Sequence, residues 1–304
     1  MSEPAANPQT RQVLDDLAAE PAFAEPDLAR QRVVYDQIFS EWTQPVERPA
    51  PQRRVDCSRD GIELSLLLIE PPEARRTVVY LHGGGWALGS AECYAPLGQQ
   101  LAQMLDAQVV LVDYPLAPEH TFPAAYLASC AAVGWAAENC VGELIIAGDS
   151  AGGQLAATTC LDAGVAGKLA GQLSIYPVID LRQDADYPSR RQLGQGGWFL
   201  TEAGILGASA GYAGDADPGD PRLTPLTADS LAVTPPSVVY LPELDPLKDE
   251  GAHYAERLKA DGVPVEVVWA EGTIHGCASF SKRIPSAQDA LQKACNRLLG
   301  LVGG

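Results

Sequence analysis

Positive charge is scarce in this sequence. Lys and Arg number 21 against 39 Asp and Glu, so the 304-residue chain carries a formal net charge of −18. Such a chain is repelled by polyanions, which argues against nucleic acid or an anionic membrane as partner. The acidity serves solubility and says nothing about fold. No run of eighteen apolar residues occurs, so no membrane-spanning helix is expected. Met1–Gln12 is polar and lacks the apolar core of a secretory signal. C-x-x-C is absent. The seven cysteines (Cys57, Cys93, Cys130, Cys140, Cys160, Cys277 and Cys295) are odd in number and scattered. They read as buried thiols in a reducing compartment, with the cytoplasm as the default, and not as a disulfide framework or a zinc site. No metal is expected. Histidine occurs only four times, which narrows the search for a catalytic base.

What is present is an ordinary globular balance, 46% hydrophobic and 20% charged, enough to bury a sizeable core. The length suits one α/β core with insertions. Residues 1–50 are rich in Ala, Pro and acids, with amphipathic helices expected over Thr10–Glu20 and Asp27–Phe39. Cys57–Ser58 and Ile62–Ile69 flank Asp60-Gly61, a hairpin signal. Strands are then expected at Thr77–Leu81, Gln108–Val112, Glu143–Ala147 and Gln172–Tyr176, with helices at Tyr94–Leu105 and Ala124–Glu138 and a helix starting near Gln154. This alternation implies βαβ units and a mostly parallel sheet. Residues 181–230, rich in Gly, Asp and Pro, break it and read as an insertion with one helix, Glu202–Tyr212. It resumes with Ser237–Leu241, Asp249–Ala260, Val265–Trp269 and Ser286–Leu299 as strand, helix, strand and helix.

Chemistry concentrates in two glycine clusters. In Gly148-Asp149-Ser150-Ala151-Gly152 a serine sits between a strand and a helix, with glycine two residues before it and two after. This is G-x-S-x-G: the serine occupies a strained turn that lifts its hydroxyl above the sheet, and the glycines let strand and helix backbones approach. Earlier, the strand Val78–Leu81 runs into His82-Gly83-Gly84-Gly85-Trp86. A flexible turn is one reading. A phosphate loop is another, but no Lys-Ser/Thr follows. The third is an oxyanion loop, whose backbone N–H groups face a developing negative charge. The order of the two clusters favours the third.

Ser150 needs a base. His82 belongs to the glycine loop, His120 lies in a Pro-Glu-His loop as a structural or pocket-lining residue, and His253 sits mid-helix among charges. His275, in Gly272-Thr273-Ile274-His275-Gly276 after a late strand, is the candidate base. The acid should lie between Ser150 and His275 at another strand end, in the order Ser, Asp/Glu, His. Asp245 in Leu244-Asp245-Pro246-Leu247 is the candidate, with Glu243 as competitor. Its role would be to hold the imidazole tautomer and stabilise the imidazolium.

Taken together, His82–Trp86, Asp113–His120, Gly148–Gly153, Asp220–Leu226, Asp245–Glu250 and His275-Gly276 resemble the hormone-sensitive-lipase-like carboxylesterases, bacterial family IV of the α/β-hydrolase fold. The likeness runs from about Thr77 to the C-terminus. It implies an α/β fold with a mostly parallel eight-stranded sheet, flanking helices and a helical cap. On that basis the chain divides into an N-terminal part of the cap (1–45), a first core part (46–180), a cap insertion (181–230) and a second core part (231–304). The resemblance implies Ser150, Asp245 and His275 as triad, and the N–H groups of Gly84, Gly85 and Ala151 as oxyanion hole. Two positions depart from it. Pro115 stands where the family usually has Arg, so the contacts of that Arg are lost. Cys277 stands where it favours an aromatic, which leaves room to widen the pocket or loosen the packing beside His275.

The function expected is serine carboxylesterase, hydrolysing short- to medium-chain acyl esters of small molecules through an acyl-enzyme on Ser150, with no cofactor. Trp86, Leu116, Phe122, Trp198 and Phe199 are candidate pocket walls. An amidase or deacetylase would use the same triad. A non-catalytic small-molecule receptor also exists on this fold, but such receptors lose the histidine. A homodimer through the sheet edge near Val265–Trp269 is the oligomer that family analogy suggests.

Overall fold

The computed structural model describes residues 5–21 and 27–303; residues 1–4 and 22–26 of the expected N-terminal cap lie outside the described residues. Eight strands form one sheet: β1 (Gln52–Arg59), β2 (Ile62–Ile69), β3 (Arg76–Leu81), β4 (Ala107–Asp113), β5 (Glu143–Asp149), β6 (Leu169–Ile175), β7 (Ser237–Pro242) and β8 (Val265–Ala270). Their order is β1-β2-β4-β3-β5-β6-β7-β8. β1 and β2 make the hairpin about Asp60-Gly61, both with positive φ (53° and 79°), as a two-residue turn requires. β2 runs antiparallel to β4, and every pairing from β4 to β8 is parallel.

Central strands read as unbroken apolar runs because both faces are buried. On β3, Val78 and Tyr80 enter one core and Val79 and Leu81 the other. The first face is covered by α3 (Ala95–Met104) and α9 (Pro285–Val302), and by α1 (Pro8–Ala18) and α2 (Leu28–Glu41) near the loops. The second is covered by α4 (Ala124–Asn139), α5 (Ala151–Thr159) and α8 (Lys248–Ala260). α1 starts behind Asn7, whose side chain accepts from the Thr10 N–H, and α2 starts behind Asp27, which accepts from the Arg30 N–H. All seven cysteines are free; Cys93, Cys160, Cys277 and Cys295 are buried, and the other three half-buried.

Two elements differ from the sequence expectation. α5 begins at Ala151, directly after Ser150, although glycines at its start would weaken an isolated helix. The 181–230 segment holds two α-helices, α6 (Pro188–Leu193) and α7 (Glu202–Ala213), and a 3₁₀ turn at Pro225–Thr227. α6 is too short to show a period, and its anchor is tertiary. Arg190 is buried; its Nε donates to Glu250 Oε2 at 2.7 Å and its Nη2 to the Asp180 carbonyl at 2.7 Å. Glu250 Oε1 accepts from the Ile179 N–H at 2.8 Å, and Ser189 Oγ donates to the Pro246 carbonyl at 2.7 Å. The segment is thus bolted to the first turn of α8.

Removing one partner of a buried pair leaves an uncompensated charge, typically about 3–5 kcal/mol. Arg190→Met should lower unfolding stability by about that much in urea titration, and adding Glu250→Leu should recover most of it. A loss below about 1 kcal/mol in the single variant would contradict this account.

Candidate active site

The loops following β3, β5, β7 and β8 meet at one edge of the sheet, the carboxyl ends of its parallel strands, where α/β sheets place their ligands. Ser150 stands between β5 and α5 with φ 53° and ψ −119°, a sparsely populated conformation costing of order 1–3 kcal/mol. Neighbouring backbone holds it: its N–H donates to the Ile175 carbonyl at 2.9 Å, and its carbonyl accepts from the Val178 N–H at 3.1 Å. A Cβ on Gly152 would overlap the carbonyl of Leu81 at the end of β3. Only glycine allows α5 to start this close to β3.

His275 Nε2 lies 2.9 Å from Ser150 Oγ, and His275 Nδ1 lies 2.8 Å from Asp245 Oδ2. With Asp245 accepting from Nδ1–H, Nε2 is free to take the serine proton. Asp245 is fully buried, and its Oδ1 accepts from the Leu247 N–H at 2.8 Å. Its competitor Glu243 does something else: Oε2 accepts from the Gly272 N–H at 2.8 Å and braces the loop that carries His275. Of the other histidines, His253 is exposed, and so is His120, which does not line the cavity over Ser150. His82 is buried, with Nδ1 2.8 Å from the Gly83 carbonyl and its ring stacked on Tyr114 at 4.2 Å. Burial pushes its pKa down, which keeps the ring neutral.

Gly84 and Gly85 line the same cavity as Ser150, and Ala151 is the first residue of α5. Among the described residues, no protein acceptor takes the N–H groups of these three. The loop turns back on itself, with the N–H groups of Ala87 and Leu88 donating to the Gly84 carbonyl at 3.1 and 2.9 Å. Trp86 Nε1 donates to Gln154 Oε1 at 3.1 Å, and Gln154 Nε2 to the Leu223 carbonyl at 2.9 Å. The Asp220–Leu226 motif therefore supports the loop through Gln154.

Asp149, beside the serine, has a role that no sequence motif marks. It is buried; Oδ1 accepts from Tyr80 Oη and from the Gly83 N–H, each at 2.8 Å, and Oδ2 from Tyr94 Oη at 3.0 Å. Burial pushes its carboxyl up to about 6, against the pull of the two hydroxyls and the N–H. The adjacent position in G-x-S-x-G was the available signal, but its partners lie 55 to 69 residues away.

A cavity of about 840 Å³ opens above Ser150. Trp86 and Phe199 line it, as expected, together with Leu14 and Leu17 of α1, Tyr35 and Phe39 of α2, and Ile205 and Tyr212 of α7. Three expected walls do not. Leu116 packs into the second-face core. Phe122 lies one layer behind, edge-on to Tyr212 at 6.2 Å and under the Arg222 guanidinium at 5.0 Å. Trp198 is turned under Arg11 of α1, at 5.6 Å, while the left-handed Phe199 (φ 72°) swings its own ring into the cavity. Cys277 does not widen the pocket: it is fully buried in the core, with Sγ 3.2 Å from Tyr240 Oη. Near Pro115, the guanidinium that reaches the loop comes from Arg32 of α2, which donates to the Ala117 carbonyl at 3.1 Å. Among the described residues, no helix is long and apolar enough to cross a membrane, and no His, Cys, Asp and Glu group could hold a metal ion.

Residues 78–279 match the family model described as alpha/beta hydrolase fold. The chain is 36% identical over 241 residues to the esterase LipI of Mycobacterium tuberculosis, covering 73% of this chain and 72% of that protein. It is 34% identical over 281 residues to an arylesterase of Saccharolobus solfataricus, covering 85% and 90%. Among solved structures, the hyperthermophilic esterase from Pyrobaculum calidifontis superposes with a TM-score of 0.88 at 31% identity, covering 99% of this chain and 100% of that one.

The raised Asp149 carboxyl contributes stability that is present below the ordinary Asp range and lost as pH rises through about 6. The stability of the parent should therefore fall as pH rises from about 4 to 7, and Asp149→Asn should lack that fall, so that the variant gains on the parent as pH rises. Thermal unfolding of both proteins across that range checks it; a variant that gains on the parent on acidification would refute the assignment.

Proposed function

This chain belongs to the α/β-hydrolase fold family, in its hormone-sensitive-lipase-like carboxylesterase branch, and from that premise we propose that Ser150, His275 and Asp245 perform its chemistry. Its activity is carboxylic-ester hydrolysis, the activity that its relatives carry in their names. The observation that carries the site reading is the unbroken chain from Asp245 through His275 to Ser150, at 2.8 and 2.9 Å.

In this reading His275 Nε2 takes the proton of Ser150 as Oγ attacks the ester carbonyl. The oxyanion of the tetrahedral intermediate sits against the N–H groups of Gly84, Gly85 and Ala151, each such donor typically worth about 2.7–4 kcal/mol. His275 then gives its proton to the departing alkoxide and leaves an acyl-Ser150. Water, deprotonated by His275, attacks that acyl group, and the acid leaves as Ser150 recovers its proton. Asp245 holds the imidazole by its Nδ1 and balances the imidazolium. Nucleophile, base and oxyanion donors are all protein groups, so no cofactor enters.

We assign short- to medium-chain acyl esters as substrates. The cavity is of small-molecule size, and the 1–45 and 181–230 segments act as its cap, through α1, α2 and α7. The seven free thiols support a reducing, cytoplasmic location. A homodimer through β8 is supported by Val267 and Trp269, 37% and 46% exposed on this terminal strand.

Ser150→Ala should abolish turnover of aryl esters, and the parent should be most active on acyl chains of up to roughly eight carbons. Activity near the parent level in Ser150→Ala would sink the site reading, and a steep rise on long-chain triglycerides would sink the substrate assignment. Gel filtration across concentrations should show a dimer mass; a constant monomer mass excludes the dimer.

A further inference from the structure

The N-terminal helix α2 makes a row of polar contacts with residues 87–94, the segment that follows the glycine loop. Arg32, Tyr35, Asp36 and Phe39 recur at the spacing of one helix face. Arg32 Nε donates to the Ala87 carbonyl at 2.8 Å. Ser90 Oγ donates to Asp36 Oδ2 at 2.8 Å. Tyr35 Oη lies 2.8 Å from Tyr94 Oη, which donates to Asp149 Oδ2 at 3.0 Å, while Asp149 Oδ1 accepts from the Gly83 N–H at 2.8 Å. Gly84 and Gly85 are therefore held from both sides: at 83 through the tyrosine–aspartate relay, and at 87 and 90 directly. The Tyr35 ring is fixed in turn by stacking on Phe39, with centroids 3.8 Å apart.

The need for such a brace follows from the loop itself. Consecutive glycines have no side chains to lock them and lose the most freedom on ordering. An oxyanion donor works only if it is already aimed when charge develops. The Arg32–Glu119 ion pair does not explain the arrangement. Its side chains are 30% and 52% exposed, and such pairs contribute little on their own. Its effect is to orient the guanidinium, so that Nε and Nη2 reach the Ala87 and Ala117 carbonyls.

We propose that α2 is a positioning element that holds the Gly83–Gly85 loop in its oxyanion-donating conformation, with Arg32, Tyr35 and Asp36 as its contacts. The N-terminal segment then acts on the chemical step through the loop it holds, as well as covering the cavity. This rests on the oxyanion assignment made under Proposed function.

The test is steady-state kinetics on acetyl to octanoyl aryl esters for Arg32→Ala, Tyr35→Phe, Asp36→Ala and the triple variant. Tyr35→Phe removes one oxygen and keeps the ring stack, so with Arg32→Ala it keeps the proposal testable even if the triple variant fails to fold. Loosened oxyanion donors should lower kcat about 3–10-fold in each single variant and about 100-fold in the triple. KM should stay within about twofold and the loss should be equal across acyl lengths, because every ester develops the same oxyanion. Val33→Ala, on a 67% exposed position of the same helix, should match the parent. Unchanged kcat in both Tyr35→Phe and Arg32→Ala would overturn the proposal. So would a KM that rises with acyl length at constant kcat, which marks α2 as a pocket wall only. If the parent is inactive, or Ser150→Ala stays active, the proposed function itself has failed; an active parent with a dead Ser150→Ala and unaffected α2 variants overturns the brace alone.

Discussion

The site depends on one close approach of two backbones. α5 begins against the end of β3, with Gly152 facing the Leu81 carbonyl at a distance no side chain permits. That contact fixes the glycine loop after β3 beside the serine turn after β5. β3 and β5 pair directly in the sheet, so the two loops leave adjacent strands at the same edge. β7 and β8 then deliver Asp245 and His275 from further along that edge. The strain at Ser150 is tolerable because hydrogen bonds to Ile175 and Val178 hold the turn on its other side.

Around this turn the protein buries charge where a purely stable core would not. Asp149 and Asp245 are both buried, one next to Ser150 in the chain and the other against His275, and each is met by donors. Asp245 orients an imidazole, and Asp149 holds a peptide N–H of the glycine loop. Buried carboxylates cost free energy even when hydrogen-bonded, and here that cost accompanies fixed geometry around Ser150 and His275. Glu250 and Arg190 use the same device further out, joining the 181–230 segment to the helix that follows Asp245.

The cavity shows how differently local and long-range information bear on a site. Ser150 and His275 stand out from their neighbours in the chain, since a strained turn or a strand-end loop has a local signature, whereas Gly84, Gly85 and the choice of Asp245 came with the family resemblance. The walls have no such mark. Trp86 and Phe199 line the cavity while Trp198 and Phe122 do not, although all four are aromatics in loops. The sign of one φ at Phe199 and one intervening ring, Tyr212, decide which side chain faces the space. Tyr35 and Leu14 belong to helices whose apolar faces are visible in the sequence, but nothing local says that those faces lie over Ser150.

The sequence by itself determined the alternation of strands and helices, the serine turn, and a single histidine placed in a late strand-end loop. Each of these is written in periodicity, glycine spacing or the scarcity of histidine, all of which act over a few residues. Tertiary structure alone decided that α5 starts at Ala151, that Glu243 braces a loop while Asp245 meets His275, and that Asp149 ties Tyr35 of α2 to the Gly83 N–H. Those outcomes depend on which distant backbone or hydroxyl comes within 3 Å of a given atom. The packing of the whole sheet and its helices sets that distance.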